Sequence, residues 1–125
     1  MAAAKKAVKD IMTKGAKLVT CGPKEKVADA MALLVAKKVS GLPVVDEAGK
    51  VVGVISEADV LQARKTATVK SVMTADPITI RPASSIKDAA ELLAGRKIKR
   101  GLVLKEGGSL ACVVSRTDII RAVLA

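Results

Sequence analysis

The stretch Gly53-Val54-Ile55-Ser56-Glu57-Ala58-Asp59 returns 59 residues later as Cys112-Val113-Val114-Ser115-Arg116-Thr117-Asp118. In each version a β-branched run ends on a serine and an acid follows three places on, the pattern of a strand that feeds directly into a capped helix. The offset extends backwards along the chain: Pro23 aligns with Pro82, Asp29 with Asp88, and Leu33-Leu34 with Leu92-Leu93. Further back, Met12 aligns with Met73 at an offset of 61, the two extra residues being absorbed in the loop that follows. A register held this long reads as an internal duplication, with copies at 8–64 and 69–124 joined by the polar stretch Lys65 to Thr68.

Within each copy the hydrophobic period changes in the same order. Short extended pieces, Lys17 to Thr20 and Pro77 to Ile80, lead through a proline-containing loop into apolar residues at helical spacing. The stripes are Val27, Ala30, Met31, Leu34 and Val35 in one copy and Ile86, Ala89, Ala90 and Leu93 in the other. Two β-branched runs then flank a glycine-bearing turn: Pro43 to Asp46 with Val51 to Ile55, and Leu102 to Lys105 with Leu110 to Val114. Each pair predicts an antiparallel hairpin, and a second helix follows from Ser56 or Ser115. The order per copy is strand, helix, strand, strand, helix, an α+β fold. A copy of under about 60 residues buries little apolar surface alone, so the two are expected to pack on each other around a pseudo-twofold axis.

Composition narrows the chemistry. The 125 residues contain no Phe, Tyr or Trp, so the core is aliphatic and no aromatic ring is present to stack on a base. Histidine is also absent, and Cys21 and Cys112 form no CxxC pair, which excludes a histidine triad, a histidine-held metal and a four-cysteine zinc site within one chain. Two isolated cysteines suit a reducing compartment. With no apolar run long enough to cross a bilayer and a start, Met1 to Asp10, that lacks the central hydrophobic stretch of a signal peptide, the expectation is a cytoplasmic protein without membrane contact. The formal net charge of +10 attracts anions without naming one.

The two Ser-x-x-Asp junctions admit two uses of one geometry. The plainer is a helix cap. The other is a ligand site, in which amides and a hydroxyl at a helix start hold an anion while a carboxylate accepts from ribose hydroxyls. Taken with the Met12-Thr13 and Met73-Thr74 starts, Val39-Ser40-Gly41-Leu42-Pro43-Val44-Val45-Asp46 and its counterpart Ile98 to Lys105, these junctions make the chain resemble a tandem pair of CBS domains, the cystathionine-β-synthase-type module. The resemblance covers about Lys9 to Leu124. It implies two βαββα units packed through their sheets, binding of adenosine-containing ligands, regulation of a partner, and homodimerisation.

It also implies shared sites. One would combine Ser56 and Asp59 with Ile78, Thr79, Lys99, Arg100, Gly101 and Leu102. The other would combine Ser115, Arg116, Thr117 and Asp118 with Val19, Thr20, Ser40, Gly41, Leu42 and Pro43. In both, the aspartate would take the ribose, aliphatic side chains the adenine, and hydroxyls and amides the phosphate. Two positions depart from the family pattern: Gly101-Leu102 stands where the first copy has Leu42-Pro43, and Cys112 stands where it has Gly53. The cations Arg96, Lys97, Lys99 and Arg100 favour the Asp59 site for phosphate and favour AMP, ADP or ATP over the cationic sulfonium of S-adenosylmethionine. The expected function is a non-catalytic nucleotide sensor acting in trans on an effector protein. The alternatives are a basic nucleic-acid-binding protein and a ligand-free dimeric scaffold.

Overall fold

The computed structural model describes residues 7–12, 18–96 and 98–124. They form two compact units, one of Val19–Pro77 and one of Met1–Leu18 with Ile78–Ala125, in an α+β arrangement.

In the unit Val19–Pro77 the helix α1 (Val27–Lys37) buries Val27, Ala30 and Leu34. Those positions lie three and four apart and so share one helix face. Met31 is partly buried against the same core, whereas Val35 is 80% exposed and stands outside the expected stripe. The helix ends at Lys38, whose left-handed backbone (φ 53°) lets the amide of Val39 reach the carbonyl of Leu34. β1 (Gly41–Val45) and β2 (Val51–Ser56) form the expected antiparallel hairpin, from Gly41 opposite Ser56 to Val45 opposite Val51. Asp46 Oδ1 accepts from the amides of Ala48 and Lys50 in the turn, and Gly49 supplies the positive φ of 85° that closes it. The short α2 (Glu57–Leu61) follows β2 directly.

The second unit repeats this plan. α4 (Ile86–Gly95) buries Ile86, Ala89 and Leu93, and β5 (Arg100–Leu104) pairs antiparallel with β6 (Leu110–Ser115) from Arg100 opposite Ser115. α5 (Arg116–Leu124) follows β6 and buries Ile119 and Ala122. β4 (Thr79–Ile80) adds a parallel strand to β5, setting Thr79 beside Leu102 and Ile80 beside Val103. The corresponding contact in the first unit is a single parallel bridge between Cys21 and Val44, so the extended piece expected over Lys17 to Thr20 forms no strand at residues 18–20, and Lys17 lies outside the described residues. Both hairpins carry a register shift at the matching place, Val44/Val45 and Val103/Leu104.

The compact units do not run in step with the sequence repeats. The turn Val8–Ile11, at the head of the first repeat, donates the amides of Val8 and Lys9 to the carbonyls of Ser84 and Pro82, and Val8 is fully buried in the second-repeat core. Reciprocally, α3 (Val69–Val72) donates the amides of Val69 and Lys70 to the carbonyls of Glu25 and Pro23, and Val69 is buried in the first-repeat core. β3 (Thr74–Ala75) then completes the first sheet along β2. This edge explains Gly53: a β-carbon there would stand 2.6 Å from Met73 Sδ and 2.8 Å from the carbonyl oxygen of Thr74. The repeat-leading segments are too short to hold structure alone, and burying one valine in a formed core fixes each of them.

Candidate functional site: two strand mouths

Each unit has a mouth where its hairpin opens and its second helix begins. In the first, Gly41 lies opposite Ser56, and the amide of Glu57 donates to the carbonyl of Ser40 at 3.0 Å. The amide of Cys21 donates to the carbonyl of Pro43 at 3.1 Å and the amide of Val45 to the carbonyl of Cys21 at 2.8 Å, which brings the preceding Val19 and Thr20 alongside β1. Val19, Thr20, Ser40, Gly41, Leu42, Pro43, Ser56 and Asp59 therefore belong to one unit. In the second, Arg100 lies opposite Ser115, the amide of Arg116 donates to the carbonyl of Lys99 at 3.2 Å, and Thr79 pairs beside Leu102. Ile78, Thr79, Lys99, Arg100, Gly101, Leu102, Ser115, Arg116, Thr117 and Asp118 share that unit. The two groupings implied by resemblance each draw on both units and are taken up as a proposal below.

Both Ser-x-x-Asp junctions form the cap. The amide of Ser56 donates to Asp59 Oδ2 at 2.8 Å and the amide of Asp59 donates to Ser56 Oγ at 3.2 Å. Ser115 and Asp118 repeat the exchange at 2.8 Å and 3.1 Å. Capping leaves chemistry in reserve. Oδ1 of Asp59 has no hydrogen-bond partner among the described residues, and Oδ1 of Asp118 faces only Arg121 at 3.6 Å across an exposed pair. A carboxylate offers about four lone-pair sites, so each aspartate can hold its cap and still accept from a hydroxyl. Each serine likewise keeps its O–H to donate.

Arg116 does more than the sequence reading assigned to it. Its Nε donates to the carbonyl of Ile98 at 2.9 Å and its terminal nitrogen to that of Leu93 at 3.3 Å, closing the C-terminal end of α4. Its counterpart at the same offset is Glu57, which puts an acid at the first mouth and went unremarked in the sequence, although the 59-residue register identifies it. The same register pairs Ile80 with Cys21 and Gly101 with Leu42. At Gly101 a β-carbon would collide with Ile80 Cδ1 and lie 3.4 Å from Leu93 Cδ2, so the bulk that Leu42 supplies in the first unit is supplied in the second by Ile80.

The two thiols are buried. Desolvation, helped by the Glu25 carboxylate, pushes the Cys21 thiol up to about 11. Burial first and Asp118 second also raise that of Cys112. Neither is poised as a nucleophile. Among the described residues no group of three or more Cys, Asp or Glu is arranged to hold a metal ion, and no helix is long and apolar enough to cross a membrane.

Comparison with known proteins agrees with this geometry. The chloroplastic CBS domain-containing protein CBSX2 of Arabidopsis thaliana is 30% identical over 94% of this chain and 63% of its own length. Its crystal structure in complex with AMP superposes with a TM-score of 0.85, at 35% identity over 94% of this chain and 96% of that one. The CBS domain pair of MJ0100, solved with 5'-methylthioadenosine and S-adenosyl-L-methionine, aligns with a TM-score of 0.79 at 27% identity over 93% and 94% of the two chains. Inosine-5'-monophosphate dehydrogenase of Nitrosopumilus maritimus is 32% identical over 76% of this chain, which spans only 20% of that enzyme. The chain thus covers less than two thirds of the length of these two curated relatives. The CBS domain family matches at residues 8–66 and again at 69–125, and the chain belongs to that family as a tandem CBS pair.

Proposed function

We propose that the chain is a non-catalytic regulatory module that binds adenosine nucleotides of the AMP, ADP and ATP class and acts in trans on an effector protein. The observation that carries this reading is the duplicated mouth: a capped aspartate with an oxygen to spare, a serine hydroxyl, and the edge of a strand with its aliphatic residues, in the same register twice. Asp59 and Asp118 accept from ribose hydroxyls, and Val19 and Ile78 with their neighbours cover the adenine. Thr20, Thr79, Ser56 and Ser115 with nearby amides meet phosphate. The bound AMP of CBSX2 and the adenosine ligands of the MJ0100 pair support the ligand class. Following the resemblance, the ligand of Asp59 is also that of Thr79 and Lys99, and the ligand of Asp118 is also that of Thr20 and Ser40. Exposed Leu61, Ile120, Val123 and Leu124 support self-association as a homodimer.

The test is AMP titration of the full chain with Asp59→Asn, Asp118→Asn and both, since asparagine keeps an oxygen for the serine amide but loses the charge. Each variant should weaken one binding event by about tenfold, the scale of one lost charge-assisted hydrogen bond, with the fold retained by circular dichroism. A double-mutant cycle of Asp59 with Thr79 should show coupling, and its absence would separate these two residues. Unchanged AMP affinity in the double asparagine variant contradicts the reading.

A further inference from the structure

Two short stretches of the chain carry one motif and dock in one way. Val8-Lys9-Asp10-Ile11-Met12-Thr13 and Val69-Lys70-Ser71-Val72-Met73-Thr74 differ only at Asp10 against Ser71 and Ile11 against Val72. The first heads repeat one and lies in the second-repeat core; the other heads repeat two and lies in the first-repeat core. Their hydrogen bonds correspond. The amides of Val8 and Lys9 donate to the carbonyls of Ser84 and Pro82, both at 2.8 Å, and those of Val69 and Lys70 to the carbonyls of Glu25 and Pro23 at 2.8 and 2.9 Å. Ala7 bridges antiparallel to Ser85 as Thr68 does to Lys26. Pro82, Ser84 and Ser85 are Pro23, Glu25 and Lys26 moved on by the 59-residue offset, so the two grooves are built in one register.

Burial along the two stretches also corresponds. The valine is fully buried, the next two residues are exposed, and the two after them, Ile11 and Met12 or Val72 and Met73, are half-buried against the same core. What each groove reads is main-chain N–H groups and three apolar side chains, the way a sheet edge or apolar groove reads a docked peptide. Such recognition does not depend on which polypeptide supplies the segment. The two motifs differ in how they are tied. α3 stands between the repeats and runs into β3, which pairs along β2, so it cannot leave its groove without moving both repeats. The Val8 turn is joined to the rest of repeat one on its carboxyl side alone. The amide of Ala7 donates to Asp10 Oδ2 at 2.9 Å, so the turn carries its own cap wherever it docks.

We propose that the groove at Pro82, Ser84 and Ser85 is an exchangeable docking site whose second occupant is the Val8–Met12 segment of another copy of this chain, so that two copies are tied together by mutual exchange. Exchange replaces every contact of the turn by an identical one, and no buried surface or hydrogen bond is lost. The proposal is independent of the nucleotide reading. It also joins the copies through main chain and a buried valine, not through the exposed Leu61, Ile120, Val123 and Leu124.

The experiment traps the exchange with a disulfide across the Ala7–Ser85 bridge, whose paired residues stand close enough for one. Full-length Ala7→Cys is mixed with full-length Ser85→Cys in a glutathione redox buffer, where only docking in trans can join the two new thiols. Cys21 and Cys112 are buried with raised thiols and stay out of the reaction. A covalent heterodimer should accumulate. Adding Val8→Asp to the Ala7→Cys chain should reduce it by about fivefold or more, because the groove would have to bury an unpaired carboxylate. An excess of a blocked peptide of residues 68–74 should reduce it to a similar degree with no substitution in either chain, because the internal motif fits the same register. The double variant Ala7→Cys, Ser85→Cys should close within one chain, and its failure to do so overturns the pairing on which the proposal stands. Absence of the heterodimer while the double variant closes shows that the groove never releases its own segment, and overturns the proposal. A heterodimer that the peptide does not diminish comes from collision and overturns it as well.

Discussion

Val19–Pro77 and the remainder of the chain are two solutions to one backbone. Their hairpins keep the same pairing, the same bulge position and the same serine–aspartate cap, but they fill the space beneath differently. The first core holds a large Leu42 and a small Cys21 at the two matching positions; the second packs a large Ile80 against Gly101. The large aliphatic side chain has changed places between the two positions, and the residue left opposite it is a cysteine in one unit and a glycine in the other. Charge has diverged further. Val19–Pro77 holds 8 Lys or Arg against 7 Asp or Glu, and the other unit holds 14 against 5. What the fold requires, register and caps, is shared; the charge around it is not.

The sharpest way to break this comparison is to move the bulk. Leu42 is 1% exposed in the first core, so Leu42→Ala should lower stability by about 2–5 kcal/mol through lost burial and the cavity left behind. Gly101→Leu, which makes the second unit imitate the first, should instead overpack against Ile80 and Leu93 and destabilise by about 1–3 kcal/mol. Adding Ile80→Cys should recover most of that loss, because it completes the exchange. Urea denaturation of the two single variants and the double variant measures the coupling directly. A double variant no better than Gly101→Leu alone would show that the two cores are not interchangeable at this pair.

The next effect depends on pH. Cys21 occupies the strand position that Ile80 holds in the other unit, and its thiol is raised to about 11 by burial and Glu25. The folded chain thus keeps a proton that the unfolded chain releases from about pH 9 upward. Stability from this group is complete below that pH and falls as pH rises towards 11, by about 2–3 kcal/mol in all. Cys21→Ala should flatten the stability-against-pH curve over that window relative to wild type, whatever it does to stability at neutral pH. Parallel curves for the two proteins would remove the thiol from the account.

Much of this was legible before any coordinates. The hairpins, the α4 stripe and both capped junctions follow from period and offset, since alternation and helical spacing are local signals. Val35 shows where the signal fails: it continues the apolar spacing of α1, but only tertiary packing decides how wide the buried face is, and it lies 80% exposed. The exchange of Val8 and Val69 between repeats was not legible, because a four-residue turn carries no periodicity and its burial depends on a distant core. Gly101 reads as a departure until Ile80 is seen beneath it. Similarly, the sequence shows Arg116 only as a candidate ligand contact, and its hydrogen bonds to Leu93 and Ile98 add a structural task that no local pattern announces.

The smallest effect tests whether the shared cap is shared in energy as well as geometry. Ser56 and Ser115 accept from the amides of Asp59 and Asp118 at 3.2 Å and 3.1 Å, but the helices they start have 5 and 9 residues. A cap satisfies the first turn only, so helix length beyond that turn should not matter, and Ser56→Ala and Ser115→Ala should each cost about 1 kcal/mol. The shift should appear in the urea midpoint with the slope unchanged. Arg116 ties α5 to α4 and to the loop before β5 independently of the serine, whereas among the described residues Glu57 gives α2 only its backbone link to Ser40. If that tie carries the helix start, Ser115→Ala will cost less than Ser56→Ala by more than about 0.5 kcal/mol, and Arg116→Ala will restore the full cost of losing Ser115. Equal costs that Arg116→Ala leaves unchanged would show that each junction stands on its own cap.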